Sequence, residues 1–250
     1  MRVLGVLVAM ALVGQVHAGQ CVARSGDKTA ALVELYTSEG CSSCPPADRW
    51  LSRVGQAYPP ERLVPLALHV DYWDYIGWKD PYAKREFSQR QRRLSLLQRQ
   101  ALVYTPQVLL QGMDYRAWAG EDFERRLARI NAQPARARLE LEAQPGTASK
   151  LHVRVKAEAA DPKAVFYVAS YENRLQSQVT AGENQGRLLV HDHVALEWQG
   201  PYGLGARDLD LPLLPKGKPA QSGVVAFVQN PATAEVLQAL MLPACAAGRD

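Results

Sequence analysis

Apolar positions along the chain change their period several times, and each change predicts an element. Leu32-Val33-Glu34-Leu35-Tyr36-Thr37 is short and β-compatible and runs into Ser38-Glu39-Gly40, which predicts a strand ending in a tight loop. From Cys44 onward Ala47, Trp50, Leu51, Val54, Ala57 and Tyr58 recur every three or four residues, the spacing of one helical face. Pro45 and Pro46 suit the first turn of that helix, where a missing amide donor costs nothing, and Pro59-Pro60 ends it. Leu63 to Val70 is almost continuously apolar, the pattern of a strand covered on both faces, and completes a β-α-β unit.

A Trp/Tyr-rich insert follows at Asp71 to Trp78. Tyr82 to Ala101 has no Gly or Pro and many Arg and Gln, which predicts a long, largely solvated helix with Arg85, Arg90, Arg92, Arg93 and Arg99 on its wet face. Gln107 to Gln111 and Met113 to Trp118 form an expected hairpin about Gly112, and Phe123, Leu127 and Ile130 share one face of a further helix. Beyond Pro134 the pattern turns to β: Arg138 to Glu142, Leu151 to Lys156, Val165 to Tyr171, Arg187 to Trp198 and Gly223 to Gln229. The expected architecture is α/β, with a first domain at 28–134 and a smaller all-β, sandwich-like domain at 135–243.

The ends refine this picture. Met1-Arg2, an apolar run from Val3 to Val13 and Val16-His17-Ala18 match an export signal over residues 1–18, so a periplasmic or secreted location is expected. The run is shorter than the ~20 residues of a membrane-spanning helix, so no stable membrane insertion is expected. The net charge of +4 over 250 residues, with both signs interspersed, gives no nucleic-acid footprint. Of the four cysteines, 41 and 44 are close in sequence, while Cys21 and Cys245 lie near the ends and are expected to form a structural disulfide. Lipidation of Cys21 is disfavoured by Gln20 before it.

The chemistry concentrates at Cys41-Ser42-Ser43-Cys44, between a strand and a helix. A thiol reacts as its thiolate, and helix N-terminal amides and dipole lower the pKa of a cysteine beside them. Cys41 is therefore expected to be the exposed, attacking sulfur, and Cys44 the shielded sulfur that resolves the mixed disulfide. Such exchange needs no other cofactor. No phosphate loop, serine nucleophile elbow or dinucleotide fingerprint is present. His191-Asp192-His193 would put two histidines on one strand face without a third ligand, so no metal site is expected there, and Gly182 to Arg187 is expected to be a plain turn.

The run Glu34 to Asp48, with His69-Val70-Asp71-Tyr72-Trp73-Asp74 and Tyr104-Thr105-Pro106-Gln107, resembles a bacterial secreted thioredoxin-like family labelled domain of unknown function 1223. The resemblance is strongest from about Leu32 to Gln133. It implies a thioredoxin-like first domain with Cys41 and Cys44 as the catalytic pair. It also implies a cis Thr105-Pro106 bond facing them and a substrate edge at Thr105 and Pro106; Trp73 is expected to line the groove. The implied partner is an exported protein or a small thiol. Two other readings stay open: a binding module with an inert disulfide, and a Cu(I)-handling protein using His69.

Overall fold

The computed structural model describes residues 21–145, 150–212 and 221–243. The expected signal segment and Cys245 lie outside these residues. The described chain is mixed α/β and mostly sheet. Its first part runs β1 (Cys21–Arg24), β2 (Ala31–Thr37), α1 (Pro45–Ala57), β3 (Leu63–His69), a 3-10 turn (Asp71–Ile76), α2 (Arg85–Leu97), β4 (Gln107–Leu110), β5 (Met113–Asp114) and α3 (Phe123–Ala132). The second runs β6 (Ala137–Pro145), β7 (Lys150–Ala159), β8 (Val165–Glu172), β9 (Leu175–Gln178), β10 (Leu188–His191), β11 (Val194–Gly203), β12 (Gly205–Pro212), β13 (Ser222–Gln229) and β14 (Val236–Pro243).

Eight strands form one sheet in the order β14-β13-β8-β11-β3-β2-β4-β5, and four form another in the order β1-β6-β7-β12. Strands β2 and β3 are parallel, as the β-α-β pattern predicts, and β4 returns antiparallel along β2. The expected division near Pro134 is not a division of the sheet, because β11 pairs β3 in parallel at Val194 and Ala67. Strands β8, β13 and β14 then extend the same sheet outward.

Burial on both faces explains the continuous apolar runs. Leu32 and Tyr36 of β2 enter one core with Phe87 and Leu94 of α2, and that core runs on to Tyr167 of β8 and Phe227 of β13. Val33 and Leu35 enter the opposite core with Trp50 and Leu51 of α1 and Leu127 of α3. Over the second half the helices give way to the four-stranded sheet, where Leu141 and Val155 meet Phe166, Val168 and Val224. This layer is a β-sandwich in packing, with two apolar sheet faces enclosing one core, but one of its sheets belongs to the whole chain.

The structure corrects three local expectations. Of the five arginines expected on the wet face of α2, Arg85, Arg92, Arg93 and Arg99 are exposed, but Arg90 is not: it is 4% exposed and its guanidinium grips Glu34 of β2, with Nε 2.6 Å from Oε1 and Nη2 3.1 Å from Oε2. The rings of Tyr167, Trp198 and Phe227 surround it at 4.8, 4.9 and 5.0 Å, a cation–π cage built wholly by the second half. The expected strand Arg187 to Trp198 is two strands, broken at His193, whose φ of 58° lies in the left-handed region. The second strand of the Gly112 hairpin is also shorter than expected, at Met113–Asp114.

Truncating Arg90 would leave the Glu34 carboxylate buried without its partner. Arg90→Ala is expected to cost about 3–5 kcal/mol in urea unfolding, with part of the loss recovered by adding Glu34→Gln. A loss below ~1 kcal/mol would show that the buried Arg90, with its carboxylate and its ring cage, does not hold the layers together.

Candidate functional site

Strands β2 and β3 end side by side, with Thr37 opposite His69, and β4 begins beside them with Gln107 opposite Tyr36. Carboxyl ends of parallel strands are where open α/β sheets leave room for ligands. The loop Ser38–Cys44 leaves β2 at this point and delivers both cysteines to the start of α1. They are joined as a disulfide with 5.4 Å between Cα atoms. The register brings Pro106 beside the end of β2, and the Thr105–Pro106 bond is cis.

The insert after β3 links these parts. Trp73 donates its indole N–H to Thr105 Oγ1 at 2.7 Å. A Cβ on Gly40 would lie 3.0 Å from Trp73 Cβ and 3.3 Å from Ile76 Cδ1, so glycine is what lets the insert press on the residue before Cys41. Trp73, Thr105 and the cysteine loop thus form one connected surface, with Thr105 and Pro106 half-buried.

Cys41 is not the exposed sulfur expected from the sequence. Its residue is 1% exposed and Cys44 is fully buried, while Ser42 and Ser43 between them face solvent. The cover has two sources: the insert presses on Gly40, and the turn between β9 and β10 reaches over from the second half. In that turn the buried Asn184 donates to the carbonyls of Glu39 at 2.8 Å and Cys41 at 3.0 Å. Next to it, Glu183 Oε2 accepts the Ser42 N–H at 2.9 Å. The segment Gly182 to Arg187, expected to be a plain turn, is therefore part of the site.

Beneath the loop lies a buried set of acids and histidines. Glu39 accepts from Trp78 Nε1 at 2.8 Å and stands 3.1 Å from His191 Nε2, and its own amide donates to Asp80 Oδ2 at 2.8 Å. His69 Nδ1 is 2.7 Å from that same Asp80 oxygen. Asp48, one helical turn beyond Cys44, accepts from Thr37 Oγ1 at 2.8 Å; His191 Nδ1 lies 3.8 Å from it, too far for a hydrogen bond. The rings of His69 and His191 meet edge to face at 4.9 Å.

Burial alone would lower the His69 pKa, but the charge and hydrogen bond of Asp80 raise it overall. Burial pushes against Asp80 ionising, and His69 reverses this and holds its carboxyl low. Asp48 has no such close cation, and burial raises it despite His191 and His69. Two imidazole nitrogens here, His69 Nε2 and His191 Nδ1, have no hydrogen-bond partner. Among the described residues no group of three or more His, Cys, Asp or Glu is arranged to hold a metal ion. His69, the ligand that the Cu(I) reading named, is held by Asp80 through Nδ1, and only its Nε2 is left without a partner.

The two histidines of His191-Asp192-His193 do not share a face. His191 closes the buried set, whereas His193 packs on α1 at Gly55, where a Cβ would fall 2.2 Å from its Nε2. The sequence singled out Cys41, Cys44, Trp73, Thr105 and Pro106; it read His191 and the turn holding Glu183 and Asn184 as structural only, and Glu39 and Asp80 went unremarked. Of the two unremarked acids, only Glu39 carried a local signal, its place two residues before Cys41. Asp71, the first residue of the insert, accepts from Ser88 Oγ of α2.

Burial lowers the His193 pKa to about 4. An unfolded imidazole binds its proton near 6.5, so between about pH 6.5 and 4 the unfolded chain holds more protons and stability falls with acid. His193→Asn keeps a side chain suited to the left-handed backbone and has nothing to titrate. In urea unfolding from pH 7 to 4, the wild type is expected to lose about 3 kcal/mol more than the variant. Parallel profiles would contradict the shift.

No helix among the described residues is long and apolar enough to cross a membrane. No curated protein matches the chain. Two solved structures are similar over 90% of it. A protein from Agrobacterium tumefaciens is 24% identical with a TM-score of 0.64, and 99% of that chain is covered. HBP35 of Porphyromonas gingivalis is 15% identical with a TM-score of 0.61 and 80% of it covered. At these identities the likeness is one of fold. The model of the family described as protein of unknown function DUF1223 matches residues 32–229, and the chain belongs to that family.

Proposed function

We propose that the chain is an exported thiol-disulfide oxidoreductase with a thioredoxin-like core, in which Cys41 attacks and Cys44 resolves. The observation that carries the reading is the Cys41–Cys44 disulfide at the strand-to-helix junction of a β-α-β unit, with Thr105-Pro106 brought to the end of β2, where the cysteine loop begins, by the β2–β4 register. The strand order β3-β2-β4-β5, with β4 antiparallel, supports the thioredoxin-like assignment. An export signal over residues 1–18 and an oxidising compartment agree with a disulfide in the site. In this reading a client segment lies along Thr105 and Pro106 beside Trp73, and its sulfur meets Cys41.

The exchange itself is symmetrical chemistry. A thiolate attacks one sulfur of a disulfide, the other sulfur leaves as a thiolate, and a mixed disulfide links the two molecules until the second thiol displaces it. With Cys41 1% exposed, the insert or the β9–β10 turn must yield before a client sulfur reaches it.

That same burial favours a second reading, in which the disulfide is an inert staple and the molecule is a binding module. Trapping separates the two. Reduced Cys44→Ala mixed with oxidised glutathione is expected to hold glutathione on Cys41, whereas the wild type resolves the adduct and returns to its internal disulfide. A folded variant whose Cys41 takes up no glutathione would support the inert staple.

A further inference from the structure

The donors around Cys41 are scarcer than a helix N-terminus usually provides. Pro45 and Pro46 occupy the first two helical positions and have no N–H. The Cys44 amide is spent on the Cys41 carbonyl at 3.2 Å, and the Ser42 amide is held by Glu183 at 2.9 Å. What remains for a Cys41 thiolate is the Ser43 amide and the Ser43 hydroxyl, 3.3 Å from Sγ. A thiolate in this loop would also share its surroundings with a carboxylate that already occupies one of the donors it needs.

We infer that Glu183 is a positioning residue that competes with the Cys41 thiolate for the Ser42 amide, and that it sets the pair to act as an electron donor to client disulfides. The inference rests on the thiol-exchange reading and gives it a direction. A CxxC pair oxidises its clients when its reduced form is stabilised, chiefly through a stabilised thiolate. Here the thiolate has fewer donors to stabilise it, so the disulfide is the favoured state of the pair and the dithiol gives up its electrons readily.

The other charged groups around the pair do not reverse this. From the loop comes Glu39, from α1 Asp48, from β3 His69, from the segment before α2 Asp80, and from β10 His191. His69 is matched by Asp80, and His191 faces two acids. Arg187 is the nearby cation of the turn, and its Nη1 is bonded to Asn184 Oδ1 at 2.9 Å. Glu183 itself is held in its charged form by the Ser42 hydrogen bonds.

The electron path closes as follows. Cys41 thiolate attacks a client disulfide, whose bond breaks; one client sulfur leaves as a thiolate and takes a proton from water. Cys44 loses its proton and attacks Cys41 Sγ, forming the internal disulfide and releasing the second client sulfur, which is protonated in turn. Two electrons pass from the pair to the client. A small or protein dithiol donor restores the pair by the reverse steps.

The test uses full-length protein, Glu183→Gln and Glu183→Ala, with glutathione redox buffers and dithiothreitol as probes. Glu183 is exposed on a turn, so both variants are expected to fold. Glutamine keeps an acceptor but loses the charge, and alanine loses both. The wild-type pair is expected to sit mostly as the disulfide in glutathione buffer. The Ala variant should shift the pair toward dithiol about three- to ten-fold and alkylate at Cys41 from a lower pH, with Gln in between. Variants whose redox equilibrium and alkylation profile match the wild type would overturn the inference and leave thiol exchange standing, even if their melting temperature fell. A wild type held mostly as dithiol in glutathione buffer would also overturn it. A folded wild type that exchanges with neither probe would overturn thiol exchange and this inference together.

Discussion

A carboxylate with no exposure to solvent, two residues before Cys41, is the constraint on which the site depends. Burying Glu39 is costly unless its oxygens and its backbone are satisfied, and the partners come from widely separated parts of the chain. Trp78 comes from the insert after β3, Asp80 from the segment between it and α2, His191 from β10, and Asn184 from the turn before it. None of these can move without leaving a buried polar group unpaired. The loop carrying the cysteines is therefore set by residues up to 152 positions away.

That dependence gives the second half of the chain its role. The sheet runs without interruption from β5 to β14, and the Arg90 guanidinium is gripped by β2 on one side and caged by rings of β8, β11 and β13 on the other. The β9–β10 ribbon, which joins neither large sheet, rises from this support and reaches the cysteine loop. Seen this way, the β-rich half supplies one wall of the site. It also supplies the acid that, in the proposed chemistry, sets the direction of electron flow.

The sequence made the local units legible. Two buried strands read as apolar runs, α1 read from its three-to-four spacing and its prolines, and the cysteine pair, Trp73, Thr105 and Pro106 stood out by residue type. Pairing across the chain was not legible. Nothing in Val194 to Gly203 announces a parallel partner in β3, and the β-rich pattern from Arg138 onward fits a separate domain equally well. Arg90 looked solvated because arginine usually is; its burial depends on three aromatic residues more than 70 positions away. The turn at Gly182 to Arg187 has ordinary turn composition, and its function lies in what the fold places beneath it. The exposure of Cys41 was misjudged for the same reason, since its cover comes from the insert and that distant turn.

The central claim is that Cys41 and Cys44 form an exchanging pair inside a scaffold that does not need their bond to stay folded. The most direct measurement titrates the full-length protein through dithiothreitol redox buffers, counting thiols at Cys41 and Cys44 while circular dichroism follows the fold. The account predicts reversible reduction at a potential above about −300 mV with the sheet signal unchanged. A pair that stays oxidised until the protein unfolds would contradict it and make the disulfide a structural staple.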